Sequence, residues 1–551
     1  MSAPLKTVRD RYSDVDIERY YRAGFWQPSS FSAVVRARAA SHPDKTYVCD
    51  DAESLTYSEF AEKSLRLAVG LKRAGVRRGE RVAAQLPNWT EFPLLAAALN
   101  RIGAILVPIM PIYRENDVAY VIDHAGVSTV VTCGKFRGFD HAAMFAELKK
   151  QNPQLREVYV THAGSALGFA HGKPLDALYA DGDINRFEHE AGPDTSPDDG
   201  FVIVYTSGTT SRPKGCFHTF NTLRASALGI AKSIRYSEQD VQFGPSPITH
   251  STGIITSVLL PLLHGASSYL MDVWDPAVGL ERIKEHGCTC AVTATAFLQM
   301  LIAAFDPGKH DPSSLRVWIC AGAPIPGSVV EKAREMFGCH VLSLYGRSEN
   351  MLTTMCTIDD PAERSATSDG RALAGAEVKI VDKEGREVPR GEEGDIAYRG
   401  PSHMIEYFRN EEETAKLFTP DGFSRSGDLG RADENGYIRV TGRLKDIVIR
   451  GGMNISAREL EDHLVTHPKV GMVAIVGMPD ERLGEKVCAY VVPADPGSPP
   501  TLEELNALLA ERKVARQKFP ERLEVVSTMP TTATGKIQKH VLRADIAKKL
   551  A

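Results

Sequence analysis

The sequence is short of every feature that commits a chain to a special environment. Its 551 residues include nine cysteines, at 49, 133, 216, 288, 290, 320, 339, 356 and 488. Their number is odd, they are scattered, and none stands as CxxC, which argues against a disulfide framework and against a zinc site. A reducing cytoplasm is the expected compartment. Charge of one sign is scarce as well: 65 Lys and Arg against 70 Asp and Glu leave a net charge of −5. Neither nucleic acid nor an anionic membrane surface is therefore expected as a partner, and the substrates are expected to be small. No long hydrophobic run occurs. The most apolar stretch, LLAAALNRIGAILVPIM (94–110), is broken by Asn100, Arg101 and Pro108, so it predicts a buried helix and strand rather than a membrane span. The opening residues MSAPLKTVRDRYSDVD lack the apolar centre of a signal peptide, and there is no internal repeat or low-complexity tract.

What is present is ordinary globular material, 43% hydrophobic and 25% charged. The length exceeds what one core usually serves, so at least two domains are expected. Ser58 to Ala74 places Phe60, Ser64, Leu67 and Leu71 at 4-3-4 spacing ahead of Gly75, which predicts an amphipathic helix with a glycine just past its end. RVAAQL (81–86), FVIVYT (201–206), VWICAG (317–322) and HVLSLYG (340–346) read as strands, the last three as buried parallel ones. The alternation predicts α/β layers. After GYIRVTGRLKDIVIRGG the texture changes. A Ser456–Glu459 capping box opens a helix over 457–465, VGMVAIVG (470–477) and VCAYVVP (487–493) read as strands, and a PADPGSPP spacer precedes a Thr501–Glu504 capping box and a final long helix. The expected organisation is a large, multi-layer α/β N-terminal domain with parallel-rich sheets, 1–442, and a small mobile α+β domain, 443–551.

One loop stands out. YTSGTTSRPKG (205–215) follows the strand FVIVYT, so its backbone N–H groups emerge at the carboxyl edge of a sheet, where open α/β folds place ligands. Gly208 and Gly215 allow backbone geometry other residues resist, Ser207, Thr209, Thr210 and Ser211 offer donors, and Lys214 adds a positive charge. The composition suits a polyphosphate. It is not a Walker A loop, because the lysine precedes its glycine and no hydroxyl residue follows. Composition alone leaves a solvated Ser/Thr-rich turn equally open.

Four further segments follow in order: LYGRSE (344–349), SGD (426–428), GRLKDIVIRGG (442–452) and PTTATGKI (530–537). Together with the loop they resemble the signature of the adenylate-forming superfamily of acyl-CoA synthetases and adenylation domains. QLPNWTEF (85–92) and KFRGFDHAAM (135–144) resemble its cyclohexanecarboxylate-CoA and medium-chain acid-CoA ligase branch. The resemblance implies two half-reactions: a carboxylate and Mg-ATP give an acyl-adenylate and pyrophosphate, then coenzyme A displaces AMP. It implies that Thr206, Ser207, Gly208, Thr209, Thr210 and Lys214 cover the β- and γ-phosphates. Gly322, Ala323 and Pro324 form a small-residue platform for the purine. It further implies that Tyr345 lies by adenine and Ser348 by the α-phosphate, with Gly346 between them in the nucleotide site, and that Glu349 is the Mg²⁺ ligand. Asp428 and Arg443 contact the ribose. Lys536 reaches the α-phosphate and the carboxylate oxygen in the first half-reaction, Lys445 is the hinge, and Gly451 and Gly452 shape the coenzyme A channel in the second. Lys539 stands where relatives usually have Arg, with no role expected of it. Acylation of Lys536 by a lysine acetyltransferase, reversed by a deacetylase, is expected to switch the enzyme off.

For the acid itself, the resemblance places His250 beside the acyl carboxylate. Ser251, Gly253, Ala294, Thr295, Gly346 and Arg347 are expected to line the pocket. The mostly small, apolar set suits an alicyclic or medium-chain aliphatic acid. Arg347 departs from the uncharged residue usual in relatives: either it pairs with an internal acid or points outward, or it meets a distal carboxylate on the substrate. The alternatives are thus a dicarboxylate-CoA ligase, an acyl-AMP ligase that loads a carrier protein, and a nucleotide-binding protein without chemistry. Oligomeric state stays open.

Overall fold

The computed structural model describes residues 6–162, 171–206, 213–322, 325–531 and 536–550. The chain forms two compact units. The larger draws on Met1–Thr206, Pro213–Glu377 and Gly400–Lys416, the smaller on Val378–Arg399 and Leu417–Ala551. The boundary expected between 442 and 443 falls inside the smaller unit, at the end of the strand Ile438–Arg443.

Among the described residues the larger unit holds two long sheets. In the nine-stranded one, Thr46–Cys49, Ser267–Leu270, Val241–Gly244, Cys290–Ala294, Val317–Ala321 and His340–Tyr345 lie side by side and parallel. Short antiparallel strands close both edges. In the eight-stranded one, Gly200–Tyr205, Ile105–Pro108, Arg81–Gln85, Val127–Cys133, Glu157–Thr161 and Lys173–Pro174 are parallel in that order, and Gly215–Thr219 and Glu406–Tyr407 extend it antiparallel.

Strand periodicity explains the layering. Val82, Ala84, Val202 and Val204 point into one core while Ala83, Ile203 and Tyr205 point into another. Val317 and Ile319 join the first of these, and Trp318 and Cys320 a third. Alternate residues of a strand face opposite sides, so both sheets are buried on both faces and share one central helical layer. The helix Tyr57–Arg73 belongs to that layer and buries Phe60, Ser64, Leu67 and Leu71 as its spacing predicts. It is tight against its neighbour: a Cβ on Gly70 would lie 1.5 Å from the Leu178 carbonyl oxygen.

The smaller unit contains a four-stranded sheet, Glu377–Val381, Gly394–Arg399, Ser424–Ala432 and Ile438–Arg443, and a second sheet built on the long antiparallel pair Val470–Asp480 and Gly484–Pro493. Helices Ala457–Leu464, Leu502–Glu511 and Lys539–Leu550 accompany it. Two expectations need correction. The Thr501–Glu504 box is complete, but at Ser456 only half of one forms. The Ser456 hydroxyl caps the Glu459 amide, whereas the Glu459 carboxylate is taken by Lys518 at 2.7 and 2.8 Å. The helix opened by Thr501 is ten residues long and not the last. Lys513, in the left-handed region at φ 57°, ends it, and the chain continues through a strand, Arg522–Val525, to the helix Lys539–Leu550.

All nine cysteines are free and buried. No helix among the described residues is long and apolar enough to cross a membrane.

Candidate functional site

The parallel strands of the nine-stranded sheet deliver their carboxyl ends to one edge. Val241–Gly244 leads to the 246–253 segment, Cys290–Ala294 to Thr295, Val317–Ala321 to Gly322, and His340–Tyr345 to Gly346–Glu349. These four strands are consecutive neighbours, so the residues expected around the acyl group and adenine are brought to one edge by topology, as open α/β sheets do. In the other sheet, Gly200–Tyr205 and Gly215–Thr219 form the hairpin that carries the hydroxyl-rich loop. Its mouth is closed by Thr206 N–H donating to the Lys214 carbonyl at 2.9 Å and by Lys214 N–H donating to the Thr206 hydroxyl at 3.3 Å. Ser207, Gly208, Thr209 and Thr210 lie outside the described residues, as do Ala323 and Pro324.

Glu349 is where the two sheets meet. Its side chain is 11% exposed, and Oε1 accepts the Tyr407 hydroxyl at 2.5 Å and faces Arg347 Nη2 at 3.1 Å. Its carbonyl accepts Met404 N–H at 2.7 Å. Burial pushes this carboxyl upward, but the Arg347 charge, then the Tyr407 hydroxyl and the backbone, outweigh it and hold the group below the ordinary carboxylate value. Tyr407 pairs across strands with Cys216, two residues beyond Lys214. Lys214 Nζ stands 4.9 Å from the Tyr407 ring centre and pairs with Glu413, whose carboxyl it and Lys416 hold at about 2. A further strut comes from buried His218, whose Nε2–H donates to the Ser348 carbonyl at 2.8 Å, with Nδ1 3.1 Å from the Thr222 hydroxyl. Burial drives His218 down to about 4, against the pull of the Ser348 carbonyl, so it is neutral and holds the LYGRSE loop as a hydrogen-bond donor.

Glu349 fits a hard cation: it is ionised, oxygen-bearing and fixed in place. Among the described residues no group of three or more His, Cys, Asp and Glu gathers that could hold a metal ion. A divalent cation here would rely on Glu349 together with water and ligand oxygens, as Mg²⁺ does with phosphates.

On the acyl side, His250 caps the turn Ser251–Gly253, its Nδ1 accepting Thr252 N–H at 3.3 Å. A six-residue π-helix, Ile254–Leu259, continues from it, a form often found at functional sites. The segment before His250 is held by buried Asn88, whose Nδ2 faces the carbonyls of Gly244, Ser246 and Met271 at 2.9–3.1 Å and whose Oδ1 accepts Ile248 N–H at 2.9 Å. Gly253 and Gly346 admit no side chain, since an added Cβ would lie 2.2 Å from the Pro247 carbonyl oxygen and 2.1 Å from that of Met351. Arg347 pairs with the internal acid Glu349, the first of the two fates expected for it. Tyr345 is half-buried at its strand end, and Ala294 and Thr295 join strand to helix.

In the smaller unit, Asp428 and Arg443 are cross-strand partners, with Nε 2.9 Å from Oδ1. The SGD turn is shaped by buried Asp395, which accepts the Ser426 amide and hydroxyl and the Gly427 amide, and pairs with Arg425 at 3.0 Å. Gly451 and Gly452 form the two-residue turn between Ile447–Arg450 and Met453–Ser456, at φ 56° and 84°, the left-handed pair that tight hairpins require. Lys445 follows the four-stranded sheet directly, and its carbonyl accepts Arg543, which also pairs with Asp446 at 2.7 Å. Lys536 is exposed, beside the bridge Thr531–Ile537. Lys539, of which nothing was expected, pairs with half-buried Glu461 at 2.7 Å and anchors the helix after Lys536.

Tyr407, His218, Asn88, Asp395 and Glu413 belong to these arrangements and were not singled out from the sequence. Only Asn88 lay within a stretch that stood out, QLPNWTEF.

The family model described as AMP-binding enzyme matches residues 35–408, and that of the AMP-binding enzyme C-terminal domain matches 459–536. The medium-chain fatty-acid–CoA ligase of Escherichia coli K12 is 36% identical over 96% of this chain and 93% of its own length. The 2,3-dihydroxybenzoate-AMP ligase of Bacillus subtilis is 30% identical over 97% and 96%. Among solved structures, ATP-bound MatB from Rhodopseudomonas palustris superposes with a TM-score of 0.84 at 27% identity, covering 95% of this chain and 100% of that one.

Proposed function

The chain belongs to the AMP-binding enzyme family, and on that premise we propose that it is an AMP-forming acid–CoA ligase: carboxylic acid, ATP and coenzyme A give acyl-CoA, AMP and pyrophosphate through an acyl-adenylate. The observation that carries this reading is the direct contact of Tyr407 with Glu349. It ties the hairpin that carries the hydroxyl-rich loop to the LYGRSE segment, which supports pairing a phosphate-binding role for the one with a cation-binding role for the other. Thr206 and Lys214, with the loop between them, neutralise charge on the departing pyrophosphate. Glu349 would hold a Mg²⁺ arriving with the nucleotide, and that ion's contribution is to offset phosphate charge. Tyr345, Gly346 and Ser348 position the adenine and α-phosphate, Gly322 with Ala323 and Pro324 lets the purine approach backbone, and Asp428 with Arg443 binds the ribose hydroxyls. Lys536 stabilises the charge that develops as the carboxylate attacks the α-phosphate. Lys445 serves as the hinge, and the Gly451–Gly452 turn serves the thiol step.

The acid is a medium-chain aliphatic or alicyclic one, bound among His250, Ser251, Gly253, Ala294, Thr295, Gly346 and Arg347. The similarity to a ligase named for medium-chain fatty acids supports this, and so does Arg347 being engaged with Glu349, which disfavours the dicarboxylate alternative. A second reading, an acyl-AMP ligase that loads a carrier thiol, draws support from the relative named for AMP ligation. Release of AMP from purified protein separates the two. With octanoate or cyclohexanecarboxylate, free coenzyme A should drive stoichiometric AMP and acyl-CoA formation. Acid-dependent pyrophosphate release that coenzyme A leaves unchanged would reject the ligase reading in favour of carrier loading.

A further inference from the structure

The LYGRSE segment places a cation where the phosphate chemistry wants an unclaimed anion. Arg347 and Glu349 sit two residues apart on the turn that leaves His340–Tyr345, and their side chains meet, Nη2 to Oε1, at 3.1 Å. They are 12% and 11% exposed, so little water or salt screens them. Oε1 is also the oxygen that accepts the Tyr407 hydroxyl, and the Tyr407 ring faces Lys214. The carboxylate is thus held in one orientation from two sides, and one of its two holders is a fixed positive charge. A planar guanidinium can bridge a carboxylate and other acceptors at once, which an ammonium does less well.

A divalent ion that binds Glu349 must therefore approach a carboxylate already neutralised by its neighbour, and the two cations repel at short range. We propose that Arg347 sets the divalent-metal affinity of this chain by competing with the metal for Glu349. The inference rests on the adenylate-forming reading, in which Glu349 is the metal ligand. It makes Arg347 a positioning residue in the metal-free protein, keeping the Glu349 carboxylate compensated and correctly aimed. Metal binding then exchanges one counter-charge for another.

Metal affinity itself tests this, without turnover. Mn²⁺ is titrated into protein saturated with α,β-methylene-ATP, which cannot be cleaved at the reacting bond, and bound Mn²⁺ is read by electron paramagnetic resonance. Removing one like charge at contact distance should tighten Mn²⁺ binding about tenfold or more in Arg347→Met. Arg347→Gln, which keeps a hydrogen-bond donor and drops the charge, should tighten it similarly and stands in if the Met variant does not fold. Arg347→Lys should stay within about threefold of wild type, because the charge is retained. Glu349→Gln should weaken Mn²⁺ binding relative to wild type, the remainder coming from the nucleotide phosphates. Wild-type or weaker affinity in both neutral variants, with binding still weakened in Glu349→Gln, overturns the role of Arg347 and leaves the ligase reading intact. Undiminished binding in Glu349→Gln overturns it differently, by removing Glu349 as the ligand.

Discussion

Replacing Tyr407 by Phe removes a hydroxyl and leaves a ring, and the structure says what each should do. The lost contact is the 2.5 Å bond to Glu349 Oε1, whose acceptor is a carboxylate with an 11% exposed side chain. Hydrogen bonds to charged groups contribute about 1.5–3 kcal/mol. The ring facing Lys214 Nζ at 4.9 Å stays, so the cost should sit at the low to middle part of that range, a fall of roughly 2–4 °C in melting temperature for a unit of this size. The dependence on pH is the sharper signature. Burial raises the Glu349 carboxyl, but Arg347 and then Tyr407 outweigh it, so the folded value lies below the ordinary one. Such a group stabilises the fold above its unfolded value of about 4.3 and loses that contribution as pH falls through the folded value. Tyr407→Phe lessens the depression, so the gap between variant and wild type should be full near pH 7 and shrink below about pH 4.3. Calorimetric melts across that window read it directly. Equal melting temperatures at neutral pH, or a gap of constant size down to acid, would show that the hydroxyl does not hold the carboxylate.

Three other outcomes are expected. Burial depresses His218 and His141 to about 4, so each contributes about 3 kcal/mol that is present above about pH 6.5 and lost as pH falls toward 4; His141→Gln should flatten part of the acid decline in melting temperature, and an unchanged profile refutes the assignment. Lys536 is exposed, so Lys536→Ala, or acetylation at Lys536, should leave melting unchanged while acid-dependent pyrophosphate release falls roughly 10²–10³-fold, with thioester formation from supplied acyl-adenylate spared. Gly346→Ala would set a methyl 2.1 Å from the Met351 carbonyl oxygen; a loss toward the upper end of about 1–3 kcal/mol is expected, together with loss of acid activation, and a fully active, stable variant would count against the tight turn.

What the sequence makes legible follows the range of the interaction that decides it. Apolar runs marked 201–206 and 340–346 as buried strands, helical spacing marked the buried face of Tyr57–Arg73, and motifs of consecutive residues marked the loop, the LYGRSE turn and the SGD turn. The partners that hold those motifs lie far along the chain. Tyr407 is 58 residues from Glu349, His218 is 130 from Ser348, and Asn88 is 156 from Gly244. No local pattern marks Tyr407 or His218, and Asn88 lay in a stretch that stood out without showing what it would hold. The half-formed cap at Ser456 has the same cause: Glu459 has the right spacing for a capping box, yet Lys518, 59 residues on, offers its carboxylate an ion pair. Arg347 was legible as a departure, and only the fold shows which acid answers it.

The cysteines have a practical consequence. Every thiol is enclosed, and enclosure raises each of them, to about 11 at Cys49 and about 12 at Cys133, Cys290, Cys320, Cys339 and Cys488. Since the thiolate is the reactive species, the native chain should be nearly silent toward maleimide dyes. Val15→Cys in the larger unit and Val525→Cys in the smaller, at side chains 76% and 47% exposed, would then be the two places a fluorophore attaches. Single-molecule energy transfer could follow the catalytic cycle without deleting one native sulfur.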